Sequence, residues 1–398
     1  MNIKLNRGFR NLKNSYLFSE INARVNEFKS ENPSKRVISL GIGDVTLPLA
    51  PCVASAMVSA AQSLGTRDGF VGYGDTQGLY ELRESLSARY LTLGAVIDPD
   101  EIFINDGAKS DLGNVFDLFG DVTVLVCEPT YPVYSDAALM SGKGVKIMPC
   151  GAENDFLPSP DTLSAREPLV IFLCSPNNPT GMVLDRQNLK KWVDFALFSG
   201  SLIIFDAAYE SFIAGGELPR SIYEIDGARE CAIEICSFSK MAGFTGVRCG
   251  WTVVPRACKS GDVSLCSLWA RRQSTKFNGA SYISQIGALA ALSEEGMQQN
   301  AENIAYYMEN ARLLGKALTE SDIEFFGGTH APYLWFRCPR GMDSWKFFNF
   351  LLENCGIVGT PGAGFGAEGE GFLRFSSFAR REDVLEAIER MASEKFKM

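Results

Sequence analysis

The residue whose setting most favours chemistry is Lys240, in the segment Ser237-Phe-Ser-Lys-Met-Ala-Gly-Phe-Thr-Gly-Val-Arg248. It comes just after a short apolar stretch, and hydroxyl groups, glycines and a second cation, Arg248, lie near it along the chain. A lysine beside another cation has a lowered pKa and can attack a carbonyl group to form a Schiff base. A solvated loop lysine can occur in a similar segment, so Lys240 alone leaves both interpretations open.

Two other polar side chains follow apolar stretches in the same way. Asp206 comes directly after Leu202-Ile-Ile-Phe205, and a carboxylate there can hold the protonated nitrogen of a pyridine ring. It could instead cap the helix that follows. The segment Ser175-Pro-Asn-Asn-Pro-Thr-Gly181 is predicted to form a rigid turn, because its prolines and glycine restrict the backbone around Asn178. A fixed amide at this position can orient a bound ring.

Several groups could bind anions. The segment Asp106-Gly-Ala-Lys-Ser-Asp111 precedes a helical stretch and could present backbone N–H groups to a phosphate, or it could simply begin that helix. Ser237, Ser239 and Arg248 supply further donors. Arg374 lies between apolar residues of a predicted strand, where an arginine needs an anionic partner. That partner could be a carboxylate of the chain or one of a substrate.

The composition excludes several classes of protein. Of the 398 residues, 38 are Lys or Arg and 47 are Asp or Glu, and the net charge of −9 argues against binding nucleic acid through a broad basic surface. His330 is the only histidine, so a multi-histidine metal site is impossible and we expect no metal. The eleven cysteines include no C-x-x-C pair and are predicted to be reduced thiols. We expect a cytoplasmic protein with neither a signal peptide nor a membrane span.

The elements that must position these residues alternate between strand and helix. Four short apolar runs are predicted strands, and helical stretches such as 185–199 separate some of them. The four runs cover residues 122–126, 169–173, 202–205 and 232–236. Continuous apolar strands alternating with helices predict a mostly parallel sheet that is covered on both faces. Because ligands bind beyond the carboxyl ends of such strands, we expect the polar segments that follow the runs to meet in one pocket.

Three regions are predicted along the chain. Residues 1–47 form an N-terminal arm and part of a small domain, residues 48–280 a large α/β domain, and residues 281–398 a C-terminal α+β domain. The elements predicted in the last region are helical stretches at 281–320, at 343–354 and from about 381, and strands at 331–337 and 372–375. No internal repeat or low-complexity linker separates the regions, so we expect their boundary to be packed.

In order and spacing, these residues resemble the class I and II aminotransferases, which are fold type I enzymes dependent on pyridoxal phosphate. The residues that carry the resemblance are Tyr131, Asn178, Asp206, Tyr209, Ser237, Lys240, Arg248 and Arg374. The resemblance covers nearly the whole chain. It implies an α/β fold with a large, mostly parallel sheet and a smaller α+β domain, with pyridoxal 5'-phosphate as cofactor.

The resemblance also implies a role for each residue. The implied catalytic residues are Lys240, Asp206 and Tyr131. Lys240 would hold the cofactor and move a proton at the substrate, Asp206 would pair with the ring nitrogen, and Tyr131 would stack on the ring face. The other implied cofactor-binding residues are Tyr73, Ala108, Lys109, Asn178, Tyr209, Ser237, Ser239, Arg248 and Asn278. The implied substrate-binding residues are Tyr16, Gly43, Lys109, Tyr131, Asn178, Asn278 and Arg374. Because Tyr73 and Asn278 act across subunits in this family, a homodimer with shared active sites is implied.

Within the family, four segments are most similar to those of LL-diaminopimelate aminotransferases. They are Leu40–Leu49, Gly72–Gly78, Asp106–Asp111 and Lys276–Ser281. The similarity implies transamination between LL-2,6-diaminopimelate with 2-oxoglutarate and tetrahydrodipicolinate with glutamate, in the biosynthesis of lysine and peptidoglycan precursors. An aspartate- or aromatic-type aminotransferase and a pyridoxal-phosphate lyase remain alternatives. Thr76 stands where the family usually has a glutamate, and this departure predicts a broader range of amino-acid substrates.

Overall fold

The computed structural model describes residues 3–12, 17–164 and 167–392. The helices in these ranges are α1 (Leu17–Glu31), α2 (Pro51–Leu64), α3 (Tyr80–Thr92), α4 (Ala108–Asn114), α5 (Val133–Met140), α6 (Arg186–Ser199), α7 (Ala228–Cys231), α8 (Phe238–Met241), α9 (Leu265–Lys276), α10 (Tyr282–Ala291), α11 (Glu294–Glu320), α12 (Ser344–Phe350) and α13 (Arg381–Ala392). The strands are β1 (Ile38–Ser39), β2 (Ile102–Asn105), β3 (Thr123–Glu128), β4 (Gly144–Pro149), β5 (Leu169–Cys174), β6 (Leu202–Asp206), β7 (Ala232–Ser237), β8 (Gly250–Val253), β9 (Lys259–Ser260), β10 (Val263–Ser264), β11 (Phe325–Gly327), β12 (Tyr333–Arg337), β13 (Ile357–Val358), β14 (Thr360–Pro361) and β15 (Phe372–Ser376).

The largest element is a seven-stranded sheet in the order β2-β8-β7-β6-β5-β3-β4. Strands β3 to β7 pair in parallel, and β8 runs antiparallel to both of its neighbours. The four predicted apolar runs form β3, β5, β6 and β7, which confirms the predicted α/β class. The helix predicted at 185–199 is α6.

Both faces of the central strands β3, β5, β6 and β7 are buried, which explains why these strands are mostly apolar. Ile171 and Ile203 pack into a core on one face, together with Trp192 of α6. Their neighbours Phe172 and Ile204 pack into a separate core on the other face. Because successive side chains of a strand point to opposite faces, a sheet with two buried faces needs apolar residues at every position.

A second, antiparallel sheet has the order β11-β12-β15-β14. Its core includes Leu334 and Leu373 and is shared with both ends of the chain, since Ile21 of α1 and Val384 of α13 belong to the same cluster. The parallel pairing of β1 with β13 joins the same two parts of the sequence. The N-terminal segment is thereby anchored on the C-terminal elements.

Three predicted elements differ in extent from the observed ones. The helical region predicted at 281–320 is two helices, because Ser293 caps α11 by accepting a hydrogen bond from the Gly296 N–H (3.1 Å). The helix predicted at 343–354 ends as α12 at Phe350, and a π-helical turn (Leu351–Cys355) continues it. The strand predicted at 331–337 begins at Tyr333 and is β12.

A buried polar network ties the large sheet to α3. Glu234 of β7 accepts hydrogen bonds from the Tyr90 hydroxyl (2.6 Å), the Ser221 hydroxyl (2.7 Å) and the Ile222 N–H (2.9 Å). Burial raises the pKa of Glu234 to about 7, and these hydrogen bonds oppose the shift. The protein therefore contains a buried carboxyl group that titrates near neutral pH.

We expect Glu234 to make the protein less stable as the pH rises. A carboxyl group whose pKa is raised by folding binds its proton more tightly in the native state than in the unfolded state. The free energy of unfolding therefore falls as the pH rises from the pKa of the unfolded state to the pKa of the native state, and the effect is constant at higher pH. The shift from 4.5 to about 7 corresponds to about 3 kcal/mol. Denaturant titrations should show that, from about pH 5 to about pH 8, the free energy of unfolding of the native protein falls by roughly 2–3 kcal/mol more than that of Glu234→Gln.

The control is Glu302→Gln, which removes an exposed carboxylate from α11. Its stability difference from the native protein should be the same at both pH values. If the difference between the native protein and Glu234→Gln is also independent of pH, the raised pKa of Glu234 is wrong.

Candidate active site

A cavity of about 380 Å³ lies at the carboxyl ends of β5, β6 and β7, between the two sheets. Asn178, Asp206 and Ser237 reach it from the large sheet, and Arg374 reaches it from β15. The residues predicted from sequence that line it are Gly43, Ala108, Lys109, Tyr131, Asn178, Asp206, Tyr209, Ser237, Ser239, Lys240, Arg248 and Arg374. The polar segments after the strands therefore do meet in one pocket.

Lys240 lies in α8, the short helix that begins where β7 ends. Ser237 caps this helix by accepting a hydrogen bond from the Ser239 N–H (3.0 Å), and the Lys240 amine donates to the Gly43 carbonyl. Burial lowers the pKa of Lys240 to about 8. Asp44 opposes this shift, and Arg374 and Arg248 add to it. Near neutral pH a larger fraction of this amine is uncharged, and thus nucleophilic, than in a surface lysine.

Asp206 is the last residue of β6 and is 4% exposed. One of its carboxylate oxygens accepts a hydrogen bond from the Tyr134 hydroxyl (2.6 Å), and the other accepts one from the Ala208 N–H (3.0 Å). Burial raises the pKa of Asp206, and these two hydrogen bonds oppose the shift. The carboxylate is therefore fixed in orientation, and a cation brought next to it would stabilise its charged form.

Arg374 is 1% exposed, and its guanidinium donates hydrogen bonds to three neutral oxygen atoms. It donates to the Asn178 side-chain oxygen (2.5 Å), the Gly41 carbonyl (2.6 Å) and the Thr360 hydroxyl (3.4 Å). A buried guanidinium at the edge of a cavity is suited to binding a carboxylate in the cavity.

Hydroxyl groups and a second arginine gather at another part of the cavity. The Ser237 and Ser239 hydroxyls are 2.9 Å apart, and Arg248 donates to the Ser239 hydroxyl (3.3 Å) and the Thr245 carbonyl (3.3 Å). Gly107, which precedes α4, has φ of 113°, and a Cβ atom there would lie 2.2 Å from a guanidinium nitrogen of Arg248. The close approach of α4 to Arg248 thus requires glycine at position 107.

Aromatic residues complete the walls. The rings of Tyr131 and Tyr134 meet edge to face at 5.9 Å, and the Lys109 amine lies 5.9 Å from the Tyr131 ring. The hydroxyl of Tyr209 lies 2.6 Å from that of Tyr333, which comes from β12. Tyr134 and Tyr333 were not predicted from the sequence. The available signals were the helical spacing of three residues after Tyr131 and the inward position of Tyr333 in a predicted strand.

Two predicted residues in the described ranges are not brought into the cavity of the single chain. Tyr73 is 92% exposed, and Asn278 is also exposed. Tyr16 lies outside the described residues. Thr76, at the position where the family usually has a glutamate, has its hydroxyl 3.4 Å from that of Ser274.

All eleven cysteines lie in described ranges and are free thiols. Within the described ranges, no three histidine, cysteine, aspartate or glutamate side chains are grouped so that they could hold a metal ion. No helix of the described chain is both long and apolar enough to cross a membrane.

Comparisons with known proteins identify relatives along nearly the full sequence. The model of the family described as aminotransferase class I and II matches residues 35–391. The chain is similar to the solved L,L-diaminopimelate aminotransferase from Chlamydomonas reinhardtii, with 44% identity, a TM-score of 0.93 and 98% of each chain covered. It is also similar to the aromatic aminotransferase from Pyrococcus horikoshii OT3, with 27% identity, a TM-score of 0.81, and 92% of this chain and 97% of that chain covered. The aspartate aminotransferase from Thermus thermophilus with maleate shares the fold, at 24% identity and a TM-score of 0.85 over 98% of this chain and 99% of that chain.

The packing of Gly107 against Arg248 gives a stability prediction. Gly107→Ala places a methyl group against the guanidinium at an unfavourable φ, so we expect it to lower the free energy of unfolding by more than about 1 kcal/mol. Gly113→Ala, within α4, is the matched control because a Cβ there meets nothing within 4 Å. It should leave the stability unchanged or raise it by up to about 1 kcal/mol. Equal stabilities of the two variants in denaturant titrations would show that Arg248 moves aside at no cost.

Proposed function

Since the chain belongs to the class I and II aminotransferases, we propose that it transfers an amino group between LL-2,6-diaminopimelate and 2-oxoglutarate. The products are tetrahydrodipicolinate and glutamate, and in the biosynthetic direction the reaction supplies precursors of lysine and peptidoglycan. The observation that carries the reaction type is the meeting of Lys240, Asp206 and Arg374 in one cavity. The 44% identity with a diaminopimelate aminotransferase over 98% of both chains supports this substrate over the aspartate and aromatic alternatives.

The donor set of the cavity fits pyridoxal phosphate, the cofactor on which this family depends. The hydroxyls of Ser237 and Ser239 and the Arg248 guanidinium suit a phosphate group, with Ala108 and Lys109 beside them at the start of α4. The buried carboxylate of Asp206 suits a protonated ring nitrogen. When bound, the cofactor supplies an electron sink that stabilises negative charge at the substrate α-carbon.

The chain's own residues supply binding, orientation and proton transfer. Lys240 holds the cofactor and, with its lowered pKa, moves a proton at the substrate α-carbon. Tyr134 fixes the carboxylate of Asp206 through its hydrogen bond. Tyr131 covers one face of the cofactor ring, and Tyr209 is placed to bind the ring hydroxyl.

Arg374 binds the substrate α-carboxylate, and Asn178 links this group to the cofactor, since its amide oxygen already accepts a hydrogen bond from Arg374. We assign contacts with the rest of the substrate to Gly43, Lys109 and Tyr131, which line the cavity. Tyr16, outside the described residues, is assigned to the same set on the family resemblance alone.

We propose a homodimer in which Tyr73 and Asn278 complete the cavity of the partner subunit. Both residues are exposed in the single chain, and the apolar residues Phe70 and Val71 near Tyr73 are 70% and 38% exposed respectively. An exposed apolar segment of this kind is typical of an interaction surface. Thr76 lies next to this segment, and the lack of a carboxylate at its position supports a broad range of amino donors.

Three coarser proposals complete the description. The chain divides into the regions 1–47, 48–280 and 281–398, and the cluster shared by α1, α11 and α13 supports grouping the first region with the last. A cytoplasmic location is supported by the eleven free thiols, which fit a reducing compartment. The net charge of −9 supports small-molecule partners rather than nucleic acid.

The direct test adds LL-diaminopimelate to the protein loaded with pyridoxal phosphate and records the visible absorbance. The absorbance should fall as the amino group is transferred and return when 2-oxoglutarate is added. A response to aspartate or aromatic amino acids but not to LL-diaminopimelate would overturn the substrate while keeping the reaction type. Release of a keto acid without any acceptor would identify a lyase instead.

Arg374→Lys keeps the positive charge but loses the two-pronged geometry of the guanidinium. We expect kcat/KM for amino donors to fall roughly ten- to a hundredfold, because a charged hydrogen bond is worth about 1.5–3 kcal/mol. The visible absorbance of the bound cofactor should be unchanged. Arg337→Lys, the same substitution at an exposed position of β12, is the control and should keep native kinetics. Native kinetics in Arg374→Lys would show that Arg374 does not bind the carboxylate.

The pKa of Lys240 predicts how the cofactor is taken up. The amine reacts only when it is uncharged, so the rate at which cofactor-free protein binds pyridoxal phosphate should rise with pH and level off above about 8. Asp44 raises the pKa of Lys240, so Asp44→Asn should move the plateau to lower pH. Stopped-flow absorbance across this pH range measures both proteins. Identical profiles would show that Asp44 does not act on Lys240.

A further inference from the structure

Tyr333 is a buried residue of the cavity that the sequence analysis did not single out. It belongs to β12 and is 1% exposed. Its hydroxyl lies 2.6 Å from the Tyr209 hydroxyl, and its ring centre lies 4.4 Å from the central carbon of the Arg374 guanidinium. It therefore contacts two residues that come from different sheets and bind different groups in the proposed function.

We propose that Tyr333 is a positioning residue that orients the Tyr209 hydroxyl towards the cofactor ring oxygen and holds the Arg374 guanidinium in place for the substrate carboxylate. The proposal rests on the proposed function, which assigns Tyr209 to the ring hydroxyl and Arg374 to the α-carboxylate. Tyr333 itself is assigned no contact with the cofactor ring oxygen or the substrate carboxylate. It acts through Tyr209 and Arg374, which are assigned those contacts.

The contact between the two hydroxyls has a preferred direction. Either phenol could be the donor by distance alone, but the Arg374 charge lies against the Tyr333 ring and stabilises negative charge on that phenol. The more acidic phenol is the better donor, so Tyr333 donates to the Tyr209 oxygen. The proton of Tyr209 is then left to point into the cavity, where a ring oxygen can accept it.

The surroundings of Tyr333 hold its hydroxyl in place. A Cβ atom on Gly43 would lie 2.6 Å from the Tyr333 hydroxyl. The backbone at Gly43, whose carbonyl accepts a hydrogen bond from the Lys240 amine, therefore packs directly against the Tyr333 hydroxyl. The charged and titratable groups that act on Tyr333 are Tyr209, Arg374, Cys174 and Asp206. Because the Tyr333 hydroxyl is confined in this way, Tyr209 is its main partner, and removal of the hydroxyl affects Tyr209 first.

The ring of Tyr333 contributes separately from the hydroxyl. Arg374 lies over two aromatic rings, with the Phe365 ring centre 5.0 Å from its guanidinium carbon and the Tyr333 ring centre 4.4 Å from it. Attraction between a guanidinium and ring faces fixes the plane of the guanidinium. A two-pronged carboxylate contact depends on that plane, so loss of the Tyr333 ring weakens carboxylate binding.

The hydroxyl is tested with Tyr333→Phe loaded with pyridoxal phosphate, without any substrate. A weaker donor at Tyr209 stabilises negative charge on the ring oxygen less well, so the pH midpoint of the change in visible absorbance should rise by roughly 0.5–1 unit. Tyr209→Phe should raise it at least as much. The double variant should match Tyr209→Phe, because Tyr333 acts through Tyr209. A native midpoint in Tyr333→Phe, or additive shifts in the double variant, would overturn the proposal.

The ring is tested by the affinity of the loaded enzyme for 2-oxoglutarate, followed by the absorbance of the cofactor. Tyr333→Phe keeps the ring and should bind 2-oxoglutarate as the native enzyme does. Tyr333→Leu removes the ring, and its affinity should fall roughly 3- to 30-fold. Equal affinities of these two variants would overturn the role assigned to the ring, and the hydroxyl test does not depend on Tyr333→Leu folding.

Tyr223→Phe controls for the loss of a buried hydroxyl. The Tyr223 hydroxyl donates to the Ala232 and Val253 carbonyls (3.1 Å each) away from the cavity, so its loss should lower stability without moving the absorbance midpoint. Failure of LL-diaminopimelate to react while the midpoint shift appears would overturn the proposed substrate and leave the role of Tyr333 intact. Failure of the native chain to bind pyridoxal phosphate at all would overturn both.

Discussion

The hydrogen bond between Arg374 and Asn178 joins the two halves of the molecule, and the site is organised around it. Arg374 belongs to the small sheet and Asn178 to the turn after β5 of the large one, and their side chains meet at 2.5 Å. A buried guanidinium is costly unless its N–H groups are bonded, and here those bonds come from Asn178, Gly41 and Thr360. The two sheets and the β1 segment must therefore stay in register for the charge to be tolerated.

The cost of burying a charge also shifts the pKa values of groups around the cavity. Asp206 is almost fully buried and Lys240 is partly buried, and burial moves the pKa of each in the direction that favours its neutral form. Arg374 and Arg248 add to the shift of Lys240, so the cations of the site act on one another. A ligand with a phosphate, a cationic ring nitrogen and a carboxylate would neutralise both the cations and the Asp206 carboxylate of the site. Binding such a ligand explains why a protein of net charge −9 keeps several cations in this cavity.

Local sequence was sufficient for β3, β5, β6 and β7 and for the residues directly after them, but it did not predict β2, β4 and β8 of the same sheet. Asp206, Ser237 and Lys240 follow apolar runs, and the carboxyl ends of parallel strands meet at one edge, so their convergence could be predicted. Tyr134 and Tyr333 could not, because each acts through a contact between residues distant in the sequence: Tyr134 with Asp206, and Tyr333 with Tyr209. The pKa of Lys240 depends on burial by elements that the sequence pattern does not bring together.

Reaction type and substrate range rest on different parts of the structure. The residues assigned to the reaction, such as Asp206 and Arg374, are held by buried contacts in which a substitution would leave an unpaired charge. Tyr73 and Asn278, which we assign to a neighbouring cavity, are exposed and bear no such constraint. Thr76 lies beside Tyr73, where loss of a carboxylate leaves the buried charges unaffected. The buried residues therefore fix the reaction type, whereas substitutions at Tyr73, Asn278 and Thr76 leave no buried charge unpaired and can alter the choice of amino donor alongside the substrate-contacting residues of the cavity.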